Sequence, residues 1–109
     1  MGIMSLFGRK DINAGMMQYQ QETRAVLLDV RTPAEYQEKR IPGSVNLPLD
    51  EIGKIKFKVS DLTTPIYIYC QNGNRSRSAL GILQKLGYTT VFDIGGITNY
   101  RGRTEGGPK

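Results

Sequence analysis

The chain has 109 residues, 39% of them hydrophobic, which is enough for one globular domain with one core. It contains one cysteine and no histidine, so a Ser-His-Asp triad, a Cys-His pair and an ordinary zinc site are excluded. The formal net charge of +5 indicates an anionic partner, but the basic residues are dispersed and predict no nucleic-acid binding.

The lone cysteine and the lack of a targeting signal predict a cytoplasmic protein. We expect a monomer that needs no cofactor or metal and makes no stable membrane association.

The first predicted element is a helix over residues 11–22, with Asp11 or Asn13 as its N-cap. Residues 1–10 show no clear period and are predicted to form a short edge strand or a loose arm. The apolar run AVLLDV at residues 25–30 is typical of a buried strand. The domain is predicted to span residues 11–101, followed by a polar, glycine-rich and flexible tail at residues 102–109.

A capping box begins the second predicted helix. Thr32 can cap this helix, Pro33 fits its first position, and Glu35 can reach back to the Thr32 backbone. The helix is predicted to end near residue 39, and a turn at residues 41–44 leads to a short strand at residues 45–47.

Residues 28–48 carry two conspicuous motifs, LDVRTPAEY at residues 28–36 and RIPGSVNLP at residues 40–48. They resemble a segment of the rhodanese-like domain family, whose pattern is D-V-R-x-x-x-E-[YF] followed by H-I-P-G-A-x-N-[IL]-P. Arg40 stands where the family usually has His. The resemblance implies that Asp29 and Arg31 brace the active-site region, and we expect Asp29, Arg31 and Glu35 to form structural ion pairs.

Residues 49–64 support two interpretations. The resemblance implies a short helix at residues 49–52, whereas KIKFKV at residues 54–59 alternates as an exposed edge strand does. We predict a short turn of helix followed by an extended or irregular segment, with the lysines on a solvated face.

Cys70 is the first residue after the apolar run IYIY at residues 66–69, which predicts a buried strand. An amphipathic helix is predicted to follow immediately and to end near Gly87. A tight turn between a strand and a helix can point successive backbone N–H groups into one concavity, where a thiolate or an anionic substrate would be stabilised. Gly73 can supply the positive φ that such a turn needs.

The loop carries the motif Cys70-x-x-Gly73-x-Arg75-Ser76, which resembles the active-site loop of rhodanese-type sulfurtransferases. The alternative from the residues alone is a buried structural cysteine before an ordinary loop. Arg75 could hold an anion through two hydrogen bonds, and Arg77 would act from further away. For both arginines the alternative is a side chain that points to solvent or pairs with Asp or Glu.

Residues 88–94 predict the last strand, and Gly95, Gly96 and Ile97 then open a short helix through Tyr100. Gly-Gly-Ile followed by an aromatic residue is a third similarity, although the family commonly has Trp where Tyr100 stands. The alternation of short strands and helices predicts an α/β domain with a largely parallel sheet. The resemblance implies a rhodanese-like fold with a five-stranded, mainly parallel sheet and helices on both faces.

The resemblance also implies a thiosulfate sulfurtransferase in which Cys70 is the catalytic nucleophile and carries sulfur as a persulfide. The predicted substrate-binding residues are Gln71, Asn72, Gly73, Asn74, Arg75, Ser76 and Arg77. The implied partners are a small anionic sulfur donor such as thiosulfate and a thiophilic acceptor, which is cyanide, a thiol or a protein cysteine. A catalytically silent binding module is the alternative. A cysteine phosphatase or arsenate reductase is disfavoured, because the Cys-x5-Arg spacing would place arginine at Ser76.

Overall fold

Helices and strands alternate along the chain. The structure is a computed structural model and describes residues 10–107. In chain order its elements are α1 (Ile12–Gln20), β1 (Val26–Asp29), α2 (Pro33–Glu38), β2 (Val45–Asn46), a long 3-10 helix (Leu49–Phe57), β3 (Ile66–Cys70), α3 (Asn74–Lys85), β4 (Val91–Gly96) and a short 3-10 helix (Ile97–Asn99). The predicted arm or edge strand at residues 1–10 falls almost entirely outside the described residues.

Four strands form one parallel sheet, in the order β2-β1-β3-β4. The central strand β3 pairs with β1 on one side, where Ile68 faces Leu28, and with β4 on the other, where Tyr67 faces Phe92. The predicted α/β class with a parallel sheet is confirmed. The count of five strands that the resemblance implies is wrong for residues 10–107, whose sheet has four.

The long 3-10 helix Leu49–Phe57 replaces the extended segment that the alternation of residues 54–59 predicts. Ile52 and Ile55 are buried three residues apart, which is the period of a 3-10 helix. Phe57 is 90% exposed, so the alternating apolar residues do not share one buried face. The three lysines of this segment are exposed, as predicted.

β3 divides the core into two layers, because successive side chains of a strand point to opposite faces of the sheet. Ile66, Ile68 and Cys70 pack with buried residues of α3 and the long 3-10 helix. Tyr67 and Tyr69 pack on the other face with buried residues of α1. Helices therefore cover both faces of the sheet, as predicted.

Side-chain caps begin the first two helices at residues that the sequence predicts. The Asp11 carboxylate accepts a hydrogen bond from the Asn13 N–H at 3.0 Å. Thr32 Oγ1 accepts the Glu35 N–H at 3.2 Å, and Glu35 Oε1 accepts the Thr32 N–H at 2.9 Å. The predicted capping box is therefore confirmed.

β4 begins later than predicted, at Val91 rather than at residue 88. Tyr88 is buried and donates its hydroxyl hydrogen to the Val59 carbonyl, while its N–H donates to the Leu83 carbonyl of α3 at 3.1 Å. Tyr88 thus closes the end of α3 instead of joining the sheet.

Residues 103–107, called the C-terminal strap below, run beside the end of α2. Glu105 pairs with Arg40 in an isolated antiparallel bridge, with backbone hydrogen bonds of 2.8 and 2.9 Å. Arg40 Nε also lies 3.2 Å from Glu105 Oε2, and the Gly107 N–H donates to the Gln37 carbonyl at 2.9 Å. The sequence predicts a flexible tail here and gives no sign of these contacts. The domain limits at residues 11–101 stay a prediction.

Across residues 10–107, every helix is too short or too polar to cross a membrane.

Candidate active site

Cys70 is the last residue of β3, and it is fully buried beneath the loop that leads into α3. Its Sγ accepts hydrogen bonds from the N–H groups of Gly73, at 3.0 Å, and Ser76, at 3.3 Å. The thiol also donates to Ser76 Oγ at 3.4 Å, and Ser76 Oγ donates to the Gly73 carbonyl at 3.2 Å. Two N–H donors aimed at one sulfur atom can stabilise negative charge on that sulfur or on an atom bound to it.

Gly73 gives the loop its shape. Its φ of +100° lies in the left-handed region, which residues with a Cβ rarely adopt. Gly73 is also the N-cap of α3 and provides no side-chain cap, so the N–H groups of the first helical turn stay directed at the loop. Buried Ala79 and Leu83 fix α3 against the sheet, and the loop is therefore anchored at both of its ends.

Asp29 and Arg31 form a buried ion pair at the end of β1. Arg31 Nη2 lies 2.7 Å from Asp29 Oδ2, and Arg31 Nε donates to the same oxygen at 3.0 Å. Burial lowers the pKa of Arg31, but the hydrogen bond and the charge of Asp29 outweigh burial, and the pKa is raised. Arg31 further donates to Gln71 Oε1 at 3.1 Å and to the Lys39 carbonyl at 2.5 Å. The predicted supporting pair thus reaches the Cys70 loop through Gln71.

Arg75 pairs with Glu35 of α2 in two parallel hydrogen bonds. Arg75 Nη1 lies 2.9 Å from Glu35 Oε1, and Arg75 Nη2 lies 3.1 Å from Glu35 Oε2. These hydrogen bonds lower the pKa of Glu35 to about 2. Of the two alternatives for Arg75, the structure shows the pair with a carboxylate, which engages both terminal nitrogens of the guanidinium.

Three further predicted substrate-binding residues have exposed side chains. They are Asn72, Asn74 and Arg77, and Asn72 Oδ1 lies 3.5 Å from the Asn74 N–H. Arg77 forms no ion pair with other residues of the described chain. Likewise, residues 10–107 hold no cluster of three or more acidic, histidine or cysteine side chains that could bind a metal ion.

A family model described as the rhodanese-like domain matches residues 13–103 of the chain. The chain belongs to the rhodanese-like domain family. The match spans the sheet, both core layers and the Cys70 loop.

Named relatives and a solved structure agree with this assignment. Thiosulfate sulfurtransferase PspE of Escherichia coli (strain K12) is 38% identical over 71 residues, which cover 64% of this chain and 68% of that protein. Thiosulfate sulfurtransferase GlpE of Pseudomonas syringae pv. syringae (strain B728a) is 36% identical over 75 residues, which cover 69% of this chain and 70% of that protein. A structure described as a rhodanese with anions from E. coli has a TM-score of 0.71 and 33% identity, and covers 76% of this chain and 99% of that one.

Arg40 is one position where this rhodanese-like domain departs from the family pattern. Besides its ion pair with Glu105, Arg40 places its guanidinium 5.1 Å from the centre of the Tyr36 ring and donates to the Tyr36 carbonyl at 3.3 Å. The side chain therefore serves the C-terminal strap and lies in contact with α2, which gives the departure a structural reason.

Gly96 and Thr98 contact the Cys70 loop from the end of β4, and neither is among the predicted site residues. A Cβ at Gly96 would lie 2.6 Å from the Gln71 carbonyl oxygen and 2.7 Å from Asn72 Cα, so only glycine fits. The N–H and the hydroxyl of Thr98 both donate to the Gln71 carbonyl at 3.2 Å. A glycine pair directly after an apolar strand is the signal that could have indicated this close approach of two backbones.

Proposed function

We propose that this rhodanese-like domain is a sulfurtransferase that takes sulfane sulfur from thiosulfate or a similar donor and carries it as a persulfide on Cys70. The observation that carries the proposal is the position of Cys70 Sγ, with the N–H groups of Gly73 and Ser76 at 3.0 and 3.3 Å. Such a cradle suits an anionic sulfur nucleophile and its sulfur-loaded form. The relatives named thiosulfate sulfurtransferase support the same donor.

In the first half-reaction the Cys70 thiolate attacks the outer sulfur of thiosulfate. The sulfur–sulfur bond of thiosulfate breaks, and sulfite leaves with the bonding electron pair. A persulfide anion remains on Cys70, with its outer sulfur beside the N–H groups of the loop. Exposed Arg77 adds positive charge in the first turn of α3, whereas the charge of Arg75 is balanced by Glu35.

In the second half-reaction a thiophilic acceptor attacks the outer sulfur of the persulfide. With cyanide the product is thiocyanate, and the electron pair of the broken bond returns to Cys70 as a thiolate. The chain has one cysteine, so it cannot release the sulfur by forming an internal disulfide. The sulfur must pass to another molecule, and we propose a thiol or a protein cysteine in a reducing compartment such as the cytoplasm.

The proposal is tested by the intact mass of the protein before and after treatment with thiosulfate. We expect the reduced protein to gain the mass of one sulfur atom and to lose it again when cyanide is added. Because Cys70 is the only thiol, the Cys70→Ser variant should show neither change.

A folded, reduced protein that gains no mass from thiosulfate would overturn the proposal, and the binding-module interpretation would replace it. Alkylation of Cys70 in a parallel sample establishes that the thiol was free at the time of treatment. A gain of mass by the Cys70→Ser variant would equally count against a persulfide on Cys70.

A further inference from the structure

The Gln71 carbonyl, next to Cys70 in the loop, is held by the segment that follows β4. The N–H and the hydroxyl of Thr98 both donate to this oxygen at 3.2 Å, which uses both of its lone pairs. Gly96 packs against the same oxygen, and Arg31 holds the Gln71 side chain through Oε1 at 3.1 Å. Gln71 is therefore fixed at its backbone and at its side chain.

The direction of the Gln71 carbonyl determines where the N–H of Asn72 points. No peptide bond in residues 10–107 is cis, and in a trans peptide the N–H is antiparallel to the C=O. With the carbonyl directed at Thr98, the Asn72 N–H is directed away from the end of β4. Within the described chain this N–H has no acceptor, while the next one, on Gly73, donates to Cys70 Sγ at 3.0 Å. An uncommitted donor thus lies one residue from a donor already on the sulfur.

We propose that Thr98 is a positioning residue for sulfur transfer, because it holds the Gln71–Asn72 peptide in the orientation that keeps the Asn72 N–H available to an anionic sulfur donor. A reversed peptide would present the Gln71 carbonyl oxygen instead, whose partial negative charge opposes an anion. The inference rests on the proposed function and names a residue outside the Cys70 loop on which donor binding depends.

The test compares Thr98→Val with a matched threonine elsewhere. Thr98→Val removes the hydroxyl donor and keeps both the side-chain shape and the backbone N–H. Thr89 lies at the other end of β4 and makes the same pair of bonds, since its N–H and hydroxyl both donate to the Leu62 carbonyl, at 3.1 and 3.4 Å. Thr89→Val is therefore the control for a lost hydroxyl bond away from Cys70, and Thr98→Ser restores the hydroxyl at the site.

Steady-state kinetics with thiosulfate and cyanide give the readout, because in a ping-pong reaction kcat/KM for each substrate reports its own half-reaction. We expect Thr98→Val to lower kcat/KM for thiosulfate about three- to tenfold, which corresponds to the free energy of one lost hydrogen bond. The decrease in kcat/KM for cyanide should be smaller. Thr98→Ser and Thr89→Val should stay close to the wild type for both substrates.

Equal losses in the two half-reactions, or losses in Thr89→Val as large as those in Thr98→Val, would overturn the inference and leave Thr98 a purely structural role. A wild-type protein that takes no sulfur from thiosulfate would instead end the proposed function and this inference together. A wild-type protein that transfers sulfur, with Thr98→Val equal to it, would overturn the inference about Thr98 alone.

Discussion

Glu35 takes part in two interactions at once. Its Oε1 accepts the Thr32 N–H at 2.9 Å and so caps α2, while both carboxylate oxygens pair with Arg75 at 2.9 and 3.1 Å. One carboxylate therefore connects the start of α2 to the Cys70 loop. Because Arg75 is engaged in this way, the positive character of the loop comes chiefly from its N–H groups and from Arg77.

The Glu35–Arg75 pair should make stability depend on pH below about 4.5. The hydrogen bonds from Arg75 lower the pKa of Glu35 from 4.5 to about 2. The Glu35 carboxylate therefore takes up a proton at a higher pH in the unfolded chain than in the folded protein. The stabilisation that the pair provides above pH 4.5 is lost as the pH falls towards 2. Since the pair is about one-third exposed, solvent screening limits the loss to the order of 1 kcal/mol.

Urea unfolding at pH 7 and pH 3 measures this dependence. Glu35→Gln keeps an oxygen for the capping box but loses the charge, so it should lose less stability on acidification than the wild type. Glu38→Gln, on the exposed side of the same helix, should behave like the wild type. Equal acid losses in Glu35→Gln and the wild type would assign the effect to other carboxylates.

Among the elements, α2 depends most on its cap. It has six residues and none of them is buried, so tertiary packing contributes little to its stability. The capping box of Thr32 and Glu35 satisfies two N–H groups that the first turn would otherwise leave to water.

Thr32→Ala should therefore lower the free energy of unfolding by about 1 kcal/mol, measured by urea unfolding at neutral pH. Thr32→Ser keeps the hydroxyl and should remain close to the wild type. Sulfur transfer should be largely kept at temperatures where Thr32→Ala stays folded. A Thr32→Ala variant as stable as the wild type would mean that the cap contributes nothing in solution.

Local pairs and distant pairs differ in how far the sequence predicts them. Thr32 and Glu35 are three residues apart, and the sequence alone predicts their capping box. The partners Arg75 and Glu35 are separated by 40 positions, so the sequence leaves open whether Arg75 faces solvent or pairs with a carboxylate. The partner of Arg40 lies 65 positions away, and no local pattern predicts it.

The long 3-10 helix shows the same limit for a whole element. A strict alternation at residues 54–59 favours a strand when local periodicity is the only information. Ile55 is buried in the core with residues of α3, whereas Phe57 is exposed. Packing against other elements decides which of these side chains is buried, and the local sequence pattern carries no information about that packing.

At the scale of the whole molecule, the C-terminal strap ties the end of the described chain back to α2. Gly106 is the tightest point of this contact, because its φ is +117° and a Cβ would lie 2.8 Å from the Gln37 carbonyl oxygen. The next residue of the strap is Gly107, whose N–H donates a hydrogen bond to the same Gln37 carbonyl.

Gly106→Ala should release the strap. We expect the amide hydrogens of Glu105 and Gly107 to exchange with solvent roughly tenfold faster or more, while the amides of β3 keep their protection. Gly43→Ala is the matched control, since Gly43 also has a positive φ, of +85°, but has no atom within 4 Å of its Cβ position. Unchanged exchange at Glu105 in the Gly106→Ala variant would show that the strap tolerates the methyl group.

The strap also determines where an attached label would sit. Only residues 108 and 109 separate Gly107 from anything fused after Lys109, and two residues span at most about 7 Å. α2 itself is about 9 Å long, and its first turn carries the carboxylate that holds the Cys70 loop. We expect a fluorescent protein fused there to stand close to α2 and to hinder a protein acceptor more than a small anion. Assays with macromolecular acceptors should therefore use protein from which a C-terminal fusion has been cleaved.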